Sequence, residues 1–191
     1  MTFPPTTRDT RRIDAMLGVL ASVIGGHEAW YVSSPLTSGE RFNEWVASGA
    51  PKDSLHARVI QPNRDEAARF VRDLRRERPV TVVDPLALAD VTGWEQDDYR
   101  VFWGKVIEEY VSVVVLRQGW EFSSGCAYEY YVALGAGAAI VDERLDVLEP
   151  EWAASRLRLA LARDSSNLFL RGVTDAVEKL VGQVPRPHGG V

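Results

Sequence analysis

One carboxylate in this sequence stands where a helix is expected to be apolar. The segment 119–129 reads Gly-Trp-Glu-Phe-Ser-Ser-Gly-Cys-Ala-Tyr-Glu, and apolar residues recur at helical spacing through and beyond it. Glu129 lies three residues after Cys126 and four before Ala133, so it falls on the apolar stripe of a helix that begins near Ser124. An inward carboxylate costs free energy unless it is paired or used. Glu129 is therefore the principal candidate for a nucleophile or an acid–base group, and the alternative is a packing detail tied to a tyrosine or to helix N–H groups.

Polar residues follow several predicted strands at the point where each strand ends. Small and hydroxylic residues link the apolar run 111–116 to the Glu129 helix, and similar residues follow the strand predicted at 29–33. Ligands of open α/β sheets bind at this edge, where backbone N–H groups and helix dipoles point outward. The candidate site residues besides Glu129 are Tyr31, Ser33, Ser34, Pro35, Asp84, Asp97, Asp98, Trp120, Glu121, Ser123, Ser124 and Gly125.

Several of these candidates have an ordinary structural alternative. An aspartate before a proline, as at Asp84, is typical of a turn. Asp97 and Asp98 suit the positive end of a helix dipole. Trp120 fits a packing role as well as it fits stacking on a base. The convergence of the loops after the predicted strands on one edge of the sheet is stronger evidence for a site than any single residue.

Composition and motifs exclude several classes of protein. No glycine fingerprint for dinucleotides and no phosphate-binding loop with lysine is present, which argues against a dehydrogenase or a P-loop kinase. The single cysteine and the three isolated histidines do not form a metal-binding pattern, so we expect no metal and no cofactor. A net charge of -5 argues against a nucleic-acid partner. The longest apolar stretch, at 16–26, is too short to cross a membrane, and without a recognisable signal peptide we expect a cytoplasmic protein.

The order of elements predicts an α/β fold. Strands are predicted at 29–33, 80–83, 111–116 and 138–141, with helical patterns between them, and a fifth strand is possible within 51–62. Asn63 and Glu66 predict a capping box at the start of the third helix. The helix opening at 96–98 has strict amphipathic spacing, which places Arg100 on its wet side. We therefore expect a three-layer, Rossmann-like or flavodoxin-like sandwich with a parallel sheet of four to five strands and helices on both faces, formed by one domain over 1–184 with a flexible tail at 185–191.

Two motifs resemble the nucleoside 2-deoxyribosyltransferase-like superfamily. Tyr31-Val32-Ser33-Ser34-Pro35-Leu36-Thr37 resembles its first-strand motif, a tyrosine followed by a small-residue and proline loop. Gly119-Trp120-Glu121-x-Ser123-x-Gly125-x-x-x-Glu129 resembles its glutamate motif, and the Gly-Trp-Glu version is closest to a branch of small phage and bacterial proteins. The likeness covers roughly 29–141 in element order.

The resemblance implies cleavage or transfer of the N-glycosidic bond of a nucleoside or nucleotide. Glu129 would attack C1′ of the sugar, Tyr31 would orient its carboxylate, and the loops at 34–35 and 123–125 would hold the sugar or a 5′-phosphate. Asp84, or one of Asp97 and Asp98, would supply a proton to the base or bind its edge. The resemblance also implies a homo-dimer or a higher homo-oligomer.

The chain departs from the superfamily pattern at both of the usual aspartates. Ser123 stands nearest the aspartate that precedes the glutamate motif, with Glu121 two residues before it. The aspartate of the preceding helix would fall near Trp103. Two alternatives therefore stay open, a non-catalytic nucleotide or nucleotide-sugar sensing module and an interaction protein.

Overall fold

A four-stranded parallel sheet forms the centre of the protein. The computed structural model describes residues 3–7, 9–88 and 90–183, so the predicted tail at 185–191 lies outside the described residues. The sheet has the order β2-β1-β3-β4, and every neighbouring pair is parallel. The α/β sandwich with a parallel sheet is thus confirmed. The strands are β1 (Ala29–Ser33), β2 (Thr81–Val83), β3 (Val111–Leu116) and β4 (Ala139–Asp142).

Helices in the described part of the chain flank this sheet on both faces. None of them is long and apolar enough to cross a membrane. Most begin or end where the periodicity and the glycines predict, since a left-handed glycine follows α1 and α5. The helices are α1 (Thr10–Ile24), α2 (Glu40–Ala47), α3 (Gln61–Glu77), α4 (Gln96–Tyr110), α5 (Ser124–Ala136), α6 (Pro150–Arg163) and α7 (Leu168–Gln183).

The alternation of side chains along β1 divides the core between the two faces of the sheet. Val32 contributes to the smaller cluster, with Val71 and Leu74 of α3. Tyr31 contributes to the larger cluster, which also contains side chains of α1, α4, α5, α6 and α7. Successive strand residues point to opposite faces, so Ser33 points to the same face as Tyr31. Two polar groups of β1 are thereby directed at the layer that contains α5.

The segment 51–62 is helical, so the possible fifth strand within it is wrong. A 3₁₀ turn at Lys52–Ser54 is followed by a π-helical turn at His56–Ile60 that runs directly into α3. The capping box predicted at Asn63 is wrong for the same reason, because the helix has already begun there. The Asn63 side chain instead donates a hydrogen bond to the carbonyl oxygen of Leu36 at 2.8 Å. This bond ties the loop after β1 to α3.

The strand order creates a crevice at one point of the sheet. The chain passes from β1 to β2 on one side, and β3 then pairs with β1 on the other side. The loops that leave β1 and β3 therefore run in opposite directions, which leaves open the space beyond their carboxyl ends. Both motifs noted in the sequence, at 31–37 and 119–129, lie at this switch point.

Candidate functional site

A cleft of about 840 Å³ lies at the switch point and contains Glu129. Its walls come from the loops after β1 and β3, the 3₁₀ turn after β2, the first half of α4 and the turn between α6 and α7. Four of these walls contain, in turn, Ser34, Leu86, Phe122 and Asn167. The volume is in the range of sites for small molecules. We call this space the Glu129 cleft.

The carboxylate of Glu129 is held by two hydroxyl groups of β1. Tyr31 Oη donates a hydrogen bond to Oε1 at 2.7 Å, and Ser33 Oγ donates one to Oε2 at 2.6 Å. Tyr31 and Ser33 are fully buried, whereas Glu129 is half-buried and lines the cleft. Each carboxylate oxygen therefore has one fixed donor, and the orientation of the group is set before any ligand binds.

Glu129 is poised to change its charge near neutral pH. Burial disfavours the charged form and raises the pKa of its carboxyl group from 4.5 to about 7, although the hydrogen bonds from Ser33 and Tyr31 and the charge of Arg100 act in the opposite direction. The pKa of Tyr31 is raised well above its usual value, first by burial and then by the negative charge of Glu129. Tyr31 thus stays protonated and acts as a hydrogen-bond donor.

A buried arginine stands behind the first turn of α5. Arg100 is only 6% exposed, so its predicted place on the wet side of α4 is wrong. Its Nη1 pairs with Asp97 at 2.7 Å, and its Nη2 donates to Ser124 Oγ at 3.1 Å. Arg100 precedes Trp103 by three positions and Ile107 by seven, and this spacing was the available signal that it lies on the buried stripe.

The first turn of α5 supplies the small residues predicted for the site. Ser123 is the N-cap, and its Oγ accepts a hydrogen bond from the backbone N–H of Cys126 at 3.4 Å. Ser123, Ser124 and Gly125 all line the Glu129 cleft, as does Ser34, whose buried Oγ has no hydrogen-bond partner among the described residues. Burial, followed by the charge of Glu129, raises the pKa of the Cys126 thiol to about 12, so this thiol remains protonated at neutral pH.

The three candidate aspartates have structural contacts and do not line the cleft. Asp84 Oδ1 accepts a hydrogen bond from the backbone N–H of Leu86 at 3.0 Å and caps the turn after β2. Asp97 pairs with Arg100, and Asp98 forms a capping box with Glu95 at the start of α4. The structure thus agrees with the structural alternatives for these residues, a turn for Asp84 and a helix start for Asp97 and Asp98.

Trp120, Glu121 and Pro35 also lie outside the Glu129 cleft. Trp120 is 3% exposed and packs against the ring of Tyr130 at a centroid distance of 4.9 Å, so it is a core residue with no free face for a base. Glu121 is also buried and forms an ion pair with Arg156 of α6. Glu121 and Pro35 line a second cleft of about 780 Å³ on the other side of the same loops.

The turn between α6 and α7 adds residues to the site that the sequence analysis missed. These helices pack together and on α5 or the loop after β3, which brings a turn more than 30 residues away in sequence to the cleft. No local pattern marks these residues as functional, because only the tertiary packing of the helices places them here. From the last residue of α6 to the first turn of α7 they are Arg163, Asp164, Asn167 and Leu170, and Asp90 lines the cleft from the loop before α4.

Neither metal ligands nor known relatives identify the site. Within the described ranges, no group of three or more His, Cys, Asp or Glu side chains is placed to hold a metal ion. No family model, curated protein or solved structure matches this chain.

Proposed function

We propose that the protein cleaves or transfers the N-glycosidic bond of a nucleoside or nucleotide, with Glu129 as the nucleophile. The observation that carries the proposal is the carboxylate of Glu129, oriented by Tyr31 and Ser33 at 2.7 and 2.6 Å and facing a cleft of about 840 Å³. A fixed carboxylate beside a space for a sugar supplies one of the two groups that glycosyl transfer requires, and the other is an acid that protonates the leaving base. The first-strand and glutamate motifs, which meet at this carboxylate, give the proposal its substrate class.

The reaction has two steps that use the same carboxylate. In the first, one oxygen of ionised Glu129 bonds to C1′ while the bond between C1′ and the base nitrogen breaks, and the base leaves with the electron pair and takes up a proton. In the second, water or another base attacks C1′, loses a proton and releases Glu129. The carboxylate also stabilises the positive charge that develops on the sugar in both transition states.

The proton donor for the leaving base differs from the sequence-based assignment. The Asp84 side chain accepts the hydrogen bond that caps the turn after β2, and it does not line the cleft. The acidic residues that do line the Glu129 cleft besides Glu129 itself are Asp90 and Asp164. We propose one of these two as the donor, because they line the same cleft as Glu129, and a general acid has to come within hydrogen-bond reach of the departing base.

A non-catalytic sensing module is the second candidate. The pKa of about 7 leaves Glu129 close to half protonated at neutral pH, and a protonated carboxyl group can bind a ligand as a donor but cannot attack C1′. Chromatographic product analysis over a panel of nucleosides and nucleotides distinguishes the two functions. Release of free base supports the enzyme, whereas tight binding by calorimetry without release supports the sensing module.

Removal of the tyrosine hydroxyl should shift the pH profile of the reaction. In Tyr31→Phe the ionised form of Glu129 loses one of its two hydrogen bonds, so the pKa of its carboxyl group rises further. The rising limb of kcat/KM then moves to higher pH, and the rate at pH 7 falls by about tenfold. The measurement is kcat/KM from pH 5 to pH 9.

Tyr130→Phe is the matched control for this experiment. It removes the same hydroxyl from a buried tyrosine on α5, but the Tyr130 Oη has no hydrogen-bond partner among the described residues. We expect the control to keep the wild-type pH profile. An unchanged profile in Tyr31→Phe, or an equal shift in Tyr130→Phe, would show that the hydrogen bond from Tyr31 does not set the ionisation of Glu129.

A further inference from the structure

The two clefts at the switch point adjoin each other, because five residues line both of them. The second cleft lies between the loops after β1 and β3 on one side and α3 and α6 on the other, and Arg41, Arg117 and Arg156 line it. Its volume of about 780 Å³ is close to the 840 Å³ of the Glu129 cleft, and each is large enough for a nucleoside. The residues that line both clefts, and so form the junction between them, are Ser38, Gly39, Asn43, Phe122 and Arg163.

Arg163 places a positive charge at this junction. It is exposed, and its guanidinium group lies over the ring of Phe122 at 5.2 Å from the centroid. No carboxylate among the described residues pairs with it within 4.0 Å. A guanidinium that stacks on an aromatic ring keeps its N–H edge available, and that edge fits the oxygens of a phosphate group.

Among the described arginines that line the second cleft, Arg163 is the one without a carboxylate partner. The other arginines of this cleft face glutamates, with 2.6 Å between Arg41 and Glu66 and 3.8 Å between Arg117 and Glu143. Arg156 pairs with the buried Glu121. The same cleft is lined by two further carboxylates without an ion pair, those of Glu40 and Glu44 on α2. A phosphate deep in the second cleft would meet these carboxylates, whereas the amino groups of a base could donate to them.

We propose that the ligand is a dinucleotide whose phosphate bridge binds Arg163. One nucleoside lies in the Glu129 cleft, the negative charge lies at the junction, and the second, uncharged nucleoside lies in the second cleft. The assignment of nucleosides to the two clefts rests on the proposed function. In a dinucleotide the negatively charged phosphates lie between two uncharged nucleosides, which is the same order along the ligand. In a nucleoside triphosphate the negative charge lies at one end.

Calorimetric titration of the full-length Glu129→Gln variant, which should bind without turnover, tests this ligand class. The probes are symmetrical dinucleoside pyrophosphates of A, G, C and U, each compared with its nucleoside, its 5′-monophosphate, its 5′-triphosphate and inorganic pyrophosphate. For at least one base we expect the dinucleotide to bind about tenfold more tightly than every matched probe. If no dinucleotide has this advantage, or if pyrophosphate alone binds as tightly, the proposal is overturned.

A pair of arginine variants tests the assigned contact. In the same background, Arg163→Gln should weaken dinucleotide binding by about tenfold and leave the affinity for the nucleoside within about twofold. Arg72→Gln is the control, because Arg72 is also exposed and without an ion pair to a described residue but lines neither cleft. Equal losses for both ligands in Arg163→Gln, or the same selective loss in Arg72→Gln, would overturn the assignment of the bridge to Arg163.

The result is separable from the proposed reaction. Base release by the wild-type protein from mononucleotides, without a dinucleotide preference, would retain the reaction and reject the dinucleotide. A dinucleotide preference that depends on Arg163, without base release from any probe, would retain the ligand class and reject the reaction.

Discussion

Replacement of Glu129 by glutamine is expected to lower kcat/KM for base release by at least about 1,000-fold. The amide has nearly the shape of the carboxylate, and its oxygen can still accept the hydrogen bond that Tyr31 Oη donates at 2.7 Å. It is not a nucleophile, however, and it carries no negative charge to stabilise the transition state. The rate should therefore fall while nucleotide binding is retained. Chromatographic assay of the released base and calorimetric titration measure the two quantities on the same preparation.

Glu108→Gln is the control for this variant, since it makes the same change of charge at an exposed position of α4. Its kcat/KM should remain within about twofold of wild type, as for most surface substitutions. Acid quench followed by intact-mass analysis provides a second test, because the wild-type protein and Glu108→Gln should carry a glycosyl adduct that Glu129→Gln lacks. Base release by Glu129→Gln within tenfold of the wild-type rate would show that another group attacks C1′.

The part of the site built from β1 and α5 was predictable from local patterns. The apolar runs at 29–33 and 111–116 define two adjacent strands, and the period of two places Tyr31 and Ser33 on one face. The period of 3.6 places Glu129 on the inner face of α5. The contact between these two elements then follows from the parallel α/β arrangement, in which the helix after β3 packs against the sheet.

The rest of the site depends on packing that has no local signature. The segment 51–62 lacks a clear period, and its helical turns join α3 without a capping signal. Arg100 can lie on the buried stripe of α4 because Asp97 and Ser124 accept hydrogen bonds from its guanidinium group, a compensation that hydropathy does not record. The turn between α6 and α7 reaches the cleft only through the packing of the C-terminal helices, so its part in the site could not be read from the sequence. For Trp120 the sequence left packing and stacking on a base as equal alternatives, and the ring of Tyr130 that packs against it in the core fits the first.

The carboxyl group of Glu129 should make the folded protein less stable as the pH rises. Its pKa is raised by burial from 4.5 to about 7, so the folded state retains a proton that the unfolded state releases between these values. The stabilisation that this proton gives to the folded state is fully present below pH 4.5 and is lost as the pH rises through 7. Above pH 8 the loss amounts to about 3 kcal/mol, a large part of the stability of an ordinary domain. Glutamine does not titrate, so above pH 8 the free energy of unfolding of Glu129→Gln should have increased relative to that of the wild type by this amount.

Denaturant unfolding followed by tryptophan fluorescence at several pH values from 5 to 8.5 measures this gain. The free energy of unfolding of Glu129→Gln minus that of wild type should increase with pH, with most of the change between pH 5 and pH 8. Glu108→Gln again provides the control, and a gain of similar size there would indicate an effect of net charge and not of the buried site. If the gain in Glu129→Gln is independent of pH, the carboxyl group is already ionised in the folded protein at pH 5, and its burial is offset by Ser33, Tyr31 and Arg100 more fully than the raised pKa implies. This measurement needs no substrate, so it tests the electrostatic state of the site whether or not the proposed reaction is correct.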